Sequence, residues 1–193
     1  MSSFLTPKRF AHVTRVAEWA KALAIHHGIS TPEKAALVGL VHDVAKYLDP
    51  GSIQELGLSD SEIHRRLFET HRPIWHAFVG AHMVRHAGVS RSRDCLGAIR
   101  WHTTGRANMT PLEELIFVAD FSEPGRAFPL AKAVAELAKK NIGHAAAAVA
   151  WHLVEKIPKP TCHWRTASCA KFYEESLSKK DATMVRTMVT TNS

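Results

Sequence analysis

Cysteine is scarce. There are three, Cys95, Cys162 and Cys169, an odd number with no CxxC spacing. That excludes a disulfide framework and a zinc knuckle, and a reduced, cytoplasmic setting is expected. Long apolar runs are missing as well: none approaches the roughly 18 residues that span a membrane. The opening MSSFLTPKRF has no apolar segment followed by small residues, so neither a secretory leader nor a membrane partner is expected. Basic runs stop at two residues (Arg65-Arg66, Lys139-Lys140, Lys179-Lys180), which leaves no polybasic arm. No segment alternates apolar and polar residues long enough to make a strand. What is present is a chain of 193 residues, 46% hydrophobic, sufficient for one domain with its own core. Its net charge of +7 favours anionic partners, and with 13 histidines, position must decide which of them matter.

Helix starts are well marked. Thr6-Pro7, Thr31-Pro32 and Thr110-Pro111 each place a capping hydroxyl before a proline at the first helical position. Glu113 completes a capping box with Thr110, and Glu62 does so with Ser59. Gly28, Gly88 and Gly143 sit where helices should stop. These marks predict helices near 7–27, 32–48, 60–70, 73–87, 91–101, 111–121, 129–141, 144–156 and 166–179, with turns at 49–51, 102–109 and 123–126. The alanines 145–148 predict a close helix–helix contact, and the residues after about 181 a polar, frayed tail. The expected organisation is one all-α domain over 1–180 with a flexible tail over 181–193.

Polar residues interrupt the apolar helices in a particular way. His12 shares a stripe with Val16, Trp19 and Leu23 and should face the core, either as a ligand or as a core histidine bonded to a carbonyl. His42 and Asp43 close the apolar run 35–41, and a buried Asp needs a metal or a cationic partner such as arginine. His76 lies in an apolar helix with Gly80 four residues on, which permits close approach; His71, His82 and His86 are its rivals, and the last two are expected at the surface. Asp120 lies on the stripe of Leu112 and Ile116. His102 opens His102-Thr103-Thr104-Gly105-Arg106, either an anion-binding loop or an ordinary polar one. Two core-facing carboxylates and several inward histidines share one solution, bound metal. Two divalent cations in such a set would lower the pKa of a shared water toward neutrality and direct it at a phosphate ester or anhydride. Lys46 and Arg9 sit on the faces of His42 and His12 and can reach phosphate, while Arg126 can bind phosphate or pair with Glu123.

The order His12, His42-Asp43, His76, His102, Asp120 resembles the HD superfamily of metal-dependent phosphohydrolases. More specifically, the segments Val38–Tyr47, His76–Ala81, Ile99–Arg106 and Phe117–Arg126 resemble the signature blocks of the bacterial YqeK family, over about residues 7–178. The resemblance implies a helical HD bundle, a buried di-iron type centre and symmetrical hydrolysis of diadenosine tetraphosphate to two ADP. It implies that His12, His42, Asp43, His76, His102 and Asp120 are the metal ligands, with Asp43 as the bridge. Lys46 would act with Asp43 in catalysis, and Arg9, Lys46, Thr103, Thr104, Gly105, Arg106 and Arg126 would meet the phosphates. The ligand types also suit manganese or zinc. Two departures stand out: Trp101 where the family usually has Tyr, and Cys162–Lys171 in place of a block beginning His-Pro. The expected partner is a nucleotide, with no nucleic acid, and a homodimer is allowed for. The competing functions are an HD-type mononucleotide phosphohydrolase and a non-catalytic basic RNA-binding module, though the latter would not need all six ligand positions filled.

Overall fold

The computed structural model describes residues 5–29, 31–55 and 62–193. Among them it contains ten helices and no strand: α1 Pro7–His27, α2 Pro32–Val41, α3 Pro50–Glu55, α4 Glu62–His86, α5 Arg93–Trp101, α6 Pro111–Ser122, α7 Pro129–Lys140, α8 Ile142–Lys156, α9 Trp164–Ser176 and α10 Lys179–Asn192. The all-α expectation holds. The most apolar helix occupies the middle: α6 buries Leu112, Leu115, Ile116, Phe117, Val118 and Ala119 and packs against α1, α2, α5, α7 and α8. Its start is held by the expected capping box, in which the Thr110 hydroxyl accepts from the Glu113 amide and the Glu113 carboxylate from the Thr110 amide. Ala145, Ala146, Ala147 and Ala148 are all fully buried in α8, as their small size suggested.

One contact sets the position of everything upstream. A Cβ on Gly39 would stand 2.6 Å from the Cα of Ala17 and 2.8 Å from its amide nitrogen. The α1 and α2 backbones therefore touch, and this draws His12 and His42 together. Gly80 has no such duty: a Cβ there would meet Val44 at 3.5 Å, an ordinary contact. The expectation that Gly80 permits close approach is not met.

Several boundaries differ from the sequence reading. Helix α2 stops at Val41, not near 48. Residues 42–48 wind more tightly, with amides bonding three residues back: Val44 to Val41, Lys46 to Asp43 and Leu48 to Ala45. The turn expected at 49–51 instead opens α3. The two helices expected over 60–70 and 73–87 run on as α4 with a break at His71 (φ −142°, ψ 47°), where Pro73 removes an amide donor. The Ser59 capping box lies outside the described residues. Thr31 occupies its cap position without a side-chain bond. Gly143 lies inside α8, because the Asn141 side chain starts that helix by accepting from the His144 amide.

The expected frayed tail is instead α10. Ser178 caps it by accepting from the Asp181 amide, and Val185 and Val189 are buried in a helix that packs on α7 and α8. Two valines four apart make a stripe too narrow to stand out in a polar sequence. No helix among the described residues is long and apolar enough to cross a membrane.

Candidate metal centre

Three helices end at one place. His42 is the C-cap of α2, His102 is the C-cap of α5, and Asp120 lies in the last turn of α6. Helix C-termini carry partial negative charge, so this convergence favours cations before any side chain is counted. The two histidines use the same local device. The Nδ1–H of His42 donates to the carbonyl of Gly39 and that of His102 to the carbonyl of Ile99, each at 2.7 Å and each three residues back. A carbonyl only accepts, so both rings carry hydrogen on Nδ1 and present a bare Nε2 lone pair inward. Helix α1 adds His12, and α4 adds His76.

Several of the inward atoms meet without bonding one another. His12 Nε2, His42 Nε2 and Asp43 Oδ1 are buried and have no hydrogen-bond partner. His12 Nε2 lies 3.0 Å from Asp120 Oδ1, and Asp43 Oδ1 lies 3.0 Å from His76 Nε2, yet neither pair has hydrogen-bond alignment. The Nε2 atoms of His76 and His102 face each other at 3.2 Å. Among the described residues, two sets offer ligand atoms mutually within 4.8 Å: His12, His42 and Asp120, and His42, Asp43 and His102. Lone pairs that converge on shared points instead of on donors are the arrangement a cation resolves. Bound divalent metal thus fits both the donor types and their aim.

Protonation favours the same role. Burial takes His42 and His76 down to about 4, so both are neutral at pH 7. Burial alone would raise Asp43, but His42, His102 and His76 together outweigh it and hold the carboxyl well below the usual range. Asp120 is lowered in the same way, burial being overcome by the adjacent His12 and His42.

The sequence reading gave Glu123 only as a possible partner of Arg126 and missed its place beside His12. Its Oε1 accepts from Nδ1 of His12 at 3.1 Å, and Arg15 Nε and the Gly125 amide each hold its Oε2 at 2.6 Å. Arg15 and Glu123 are 108 residues apart, a separation that gives no periodic signal. Gly125 keeps room for this lock: a Cβ there would meet the Arg15 guanidinium. Glu123 thus does for His12 what carbonyls do for His42 and His102.

The cations expected at the site divide into two groups. Arg9 meets Asp43 Oδ2 at 2.8 Å, and Lys46 lies 3.7 Å from Asp43 Oδ1 and 3.2 Å from His76 Nε2. The tight winding after α2 is what brings Lys46 over Asp43, since residues three apart eclipse there. Arg126 bonds Asp120 Oδ1 at 3.1 Å and lies 3.9 Å from Glu123. The loop behaves otherwise. Thr104 is buried and donates to its neighbour's carbonyl. Gly105 (φ 60°) packs under Cys169, and Arg106 meets the buried Glu113 at 2.7 Å. Glu113 needs a cation in its dry setting, and Arg106 supplies it, so these three residues brace the loop and do not face the centre. Thr103 differs, with its buried hydroxyl lacking a partner. His71 contacts Thr70 and His163, and His82 stacks on His86; all three stand apart from the six.

This fold and site define a class: residues 9–125 match the HD domain family, and the chain belongs to it. Its kinship is narrower still. A protein of Bacillus subtilis (strain 168) named symmetrical bis(5'-nucleosyl)-tetraphosphatase is 38% identical over 142 residues, which cover 73% of this chain and 75% of that protein. A protein of the same name from Staphylococcus aureus (strain NCTC 8325 / PS 47) is 34% identical over 179 residues, 89% of this chain and 90% of that one. The resemblance to the YqeK family holds on this kinship. Among solved structures, one from Clostridium acetobutylicum is similar at a TM-score of 0.77 and 27% identity, covering 91% of this chain and 93% of that one. It is described as a predicted HD superfamily hydrolase involved in NAD metabolism.

Proposed function

We propose that this protein hydrolyses diadenosine tetraphosphate and related dinucleoside polyphosphates symmetrically, yielding two ADP, with two divalent cations held by His12, His42, Asp43, His76, His102 and Asp120. The observation that carries the reading is the convergence of six ligand-type side chains from five helices and the turn after α2, with His12 Nε2, His42 Nε2 and Asp43 Oδ1 buried and unpartnered. The kinship with named tetraphosphatases supports the substrate; iron is the metal the YqeK resemblance implies, and the ligand types suit manganese or zinc as well. A bound pair of such cations supplies Lewis-acid activation of water and of the phosphoryl oxygens.

The chain's own residues do the rest. Asp43 turns Oδ2 toward His42 (3.7 Å) and Oδ1 toward His76 and His102, and the family resemblance makes it the carboxylate that would be shared by the two cations. Arg9, Lys8, Arg15 and Arg126 line a cavity of about 280 Å³ beside His12, with Tyr47 at its wall. A polyphosphate carries several negative charges, and a cationic cavity next to the centre would hold and orient them. Lys46 lies on the opposite side of Asp43 and would neutralise charge developing on a transferring oxygen. ADP is a good leaving group, so a dedicated strong acid is not required. The reading carries with it a nucleotide partner and a cytoplasmic setting, and needs no nucleic acid.

The test is metal content and product analysis on anaerobically purified protein. Wild type is expected to contain divalent metal and to give ADP as sole product, while Asp43→Ala loses both metal and hydrolysis. Retention of both by the variant would overturn the site. Faster release of phosphate from AMP or dAMP would favour a mononucleotide phosphohydrolase.

A further inference from the structure

A second cavity, of about 220 Å³, opens on the other side of the centre, and its character is opposite to the first. Phe117, Phe121 and Phe128 form one wall and Val149 and Leu153 another, with Thr103 among the lining residues. Phe121 and Phe128 meet edge to face at 5.3 Å, which leaves ring faces available, and Phe128 is 39% exposed. The cavity shares His102 and Asp120 with the centre, and Arg126 lines both cavities. The Thr103 hydroxyl is the one polar atom here that is buried and unpartnered.

From this arrangement we infer that the Phe121–Phe128 cavity is the nucleobase subsite for the nucleoside nearest the metals. The inference rests on the proposed nucleotide substrate and assigns its direction. Phosphate suits the space poorly, because five of the nine lining side chains are apolar and would strip its water. A flat heteroaromatic ring suits the space, since it stacks on aromatic faces and buries apolar area while a few edge atoms still seek hydrogen bonds. The Thr103 hydroxyl supplies one such bond, to the base or to its sugar. The chain of a bound nucleotide then runs from the aromatic cavity, across the six ligands and past Arg126, to the cationic cavity. The apolar side reads the base, and the basic side holds the phosphates.

The assignment separates two affinities that a general anion site would keep together. Binding of ADP and of inorganic pyrophosphate to the metal-loaded protein is measured by calorimetry for wild type, Phe128→Ala and Leu153→Trp. Neither position bears a metal ligand, and metal content with thermal melting verifies that both variants are folded. Wild type is expected to prefer ADP to pyrophosphate. Each variant should weaken ADP by about ten-fold or more, as loss of one stacking wall or filling of the space implies, and leave pyrophosphate within about two-fold. Equal weakening of both ligands, or unchanged ADP affinity, overturns the subsite. A wild type that fails to split diadenosine tetraphosphate, yet still shows Phe128-dependent ADP affinity, would sink the proposed reaction and support the subsite.

Discussion

Glu123 shows how a single side chain can govern a site it does not enter. It fixes the tautomer of His12 while Arg15 and the Gly125 amide fix Glu123 itself. Burial would push its carboxyl up, but Arg15 and His12 outweigh that and lower it, so it stays charged. Glu123→Gln keeps the shape and removes the charge that draws the Nδ1 proton. The expected result is a metal affinity lower by roughly 10–100-fold with the fold retained, read by metal titration against circular dichroism; an unchanged affinity would show that His12 needs no such partner. The six inward residues were legible in the sequence because each interrupts an apolar stripe with a ligand-type side chain. Glu123 and Arg15 were not, because their meaning lies in a contact between opposite ends of the HD region. Arg106 misled for the same reason: its partner Glu113 had already been accounted for by the capping box, and nothing local showed that a buried carboxylate would claim a second bond.

Among the elements, starts and stops were readable wherever local chemistry decides them. Thr6 and Thr110 cap α1 and α6 as written, and Gly28 ends α1 in the left-handed region. The 42–48 segment was not readable, since its tight winding follows from packing and not from any breaker in Val38–Tyr47. Nor was α10, whose case rests on two valines. The α1–α2 crossing makes a sharp comparison between two glycines. Gly39→Ala drives a methyl into the Ala17 backbone and should cost about 2 kcal/mol or more. Gly80→Ala meets only ordinary contacts and gains helix propensity, so it should be neutral or stabilising by up to about 1 kcal/mol. Urea denaturation of both variants checks the pair; similar losses in the two would show that the crossing is less tight than described.

For the molecule as a whole, the centre is a concentration of buried charge and lone pairs at the junction of several helices, and its cost appears in the pH dependence of folding. In metal-stripped protein, His42 and His76 protonate only near pH 4, whereas in the unfolded chain they do so at about 6.5. Above 6.5 both states are neutral and nothing is gained or lost. As the pH falls below 6.5 the unfolded chain takes up protons that the folded chain refuses, so stability drops. Asp43 and Asp120, held low in the fold, extend the loss at lower pH. Two refused protons imply a loss on the order of 2–4 kcal/mol between pH 7 and pH 5, measurable by urea titration of chelated protein at the two values. A flat profile would mean that the histidines accept protons within the fold.

The Gly39–Ala17 contact carries one more consequence, and it concerns repair. A crowded side chain can be relieved by trimming its neighbour. Here the obstacle is main chain on both sides, the Cα and amide nitrogen of residue 17 and the carbonyl carbon of residue 16. No exchange of side chain removes those atoms. A selection for second-site suppressors of Gly39→Ala should therefore return mainly reversions at residue 39, whereas a selection started from Phe128→Ala has several neighbouring positions through which to refill the space.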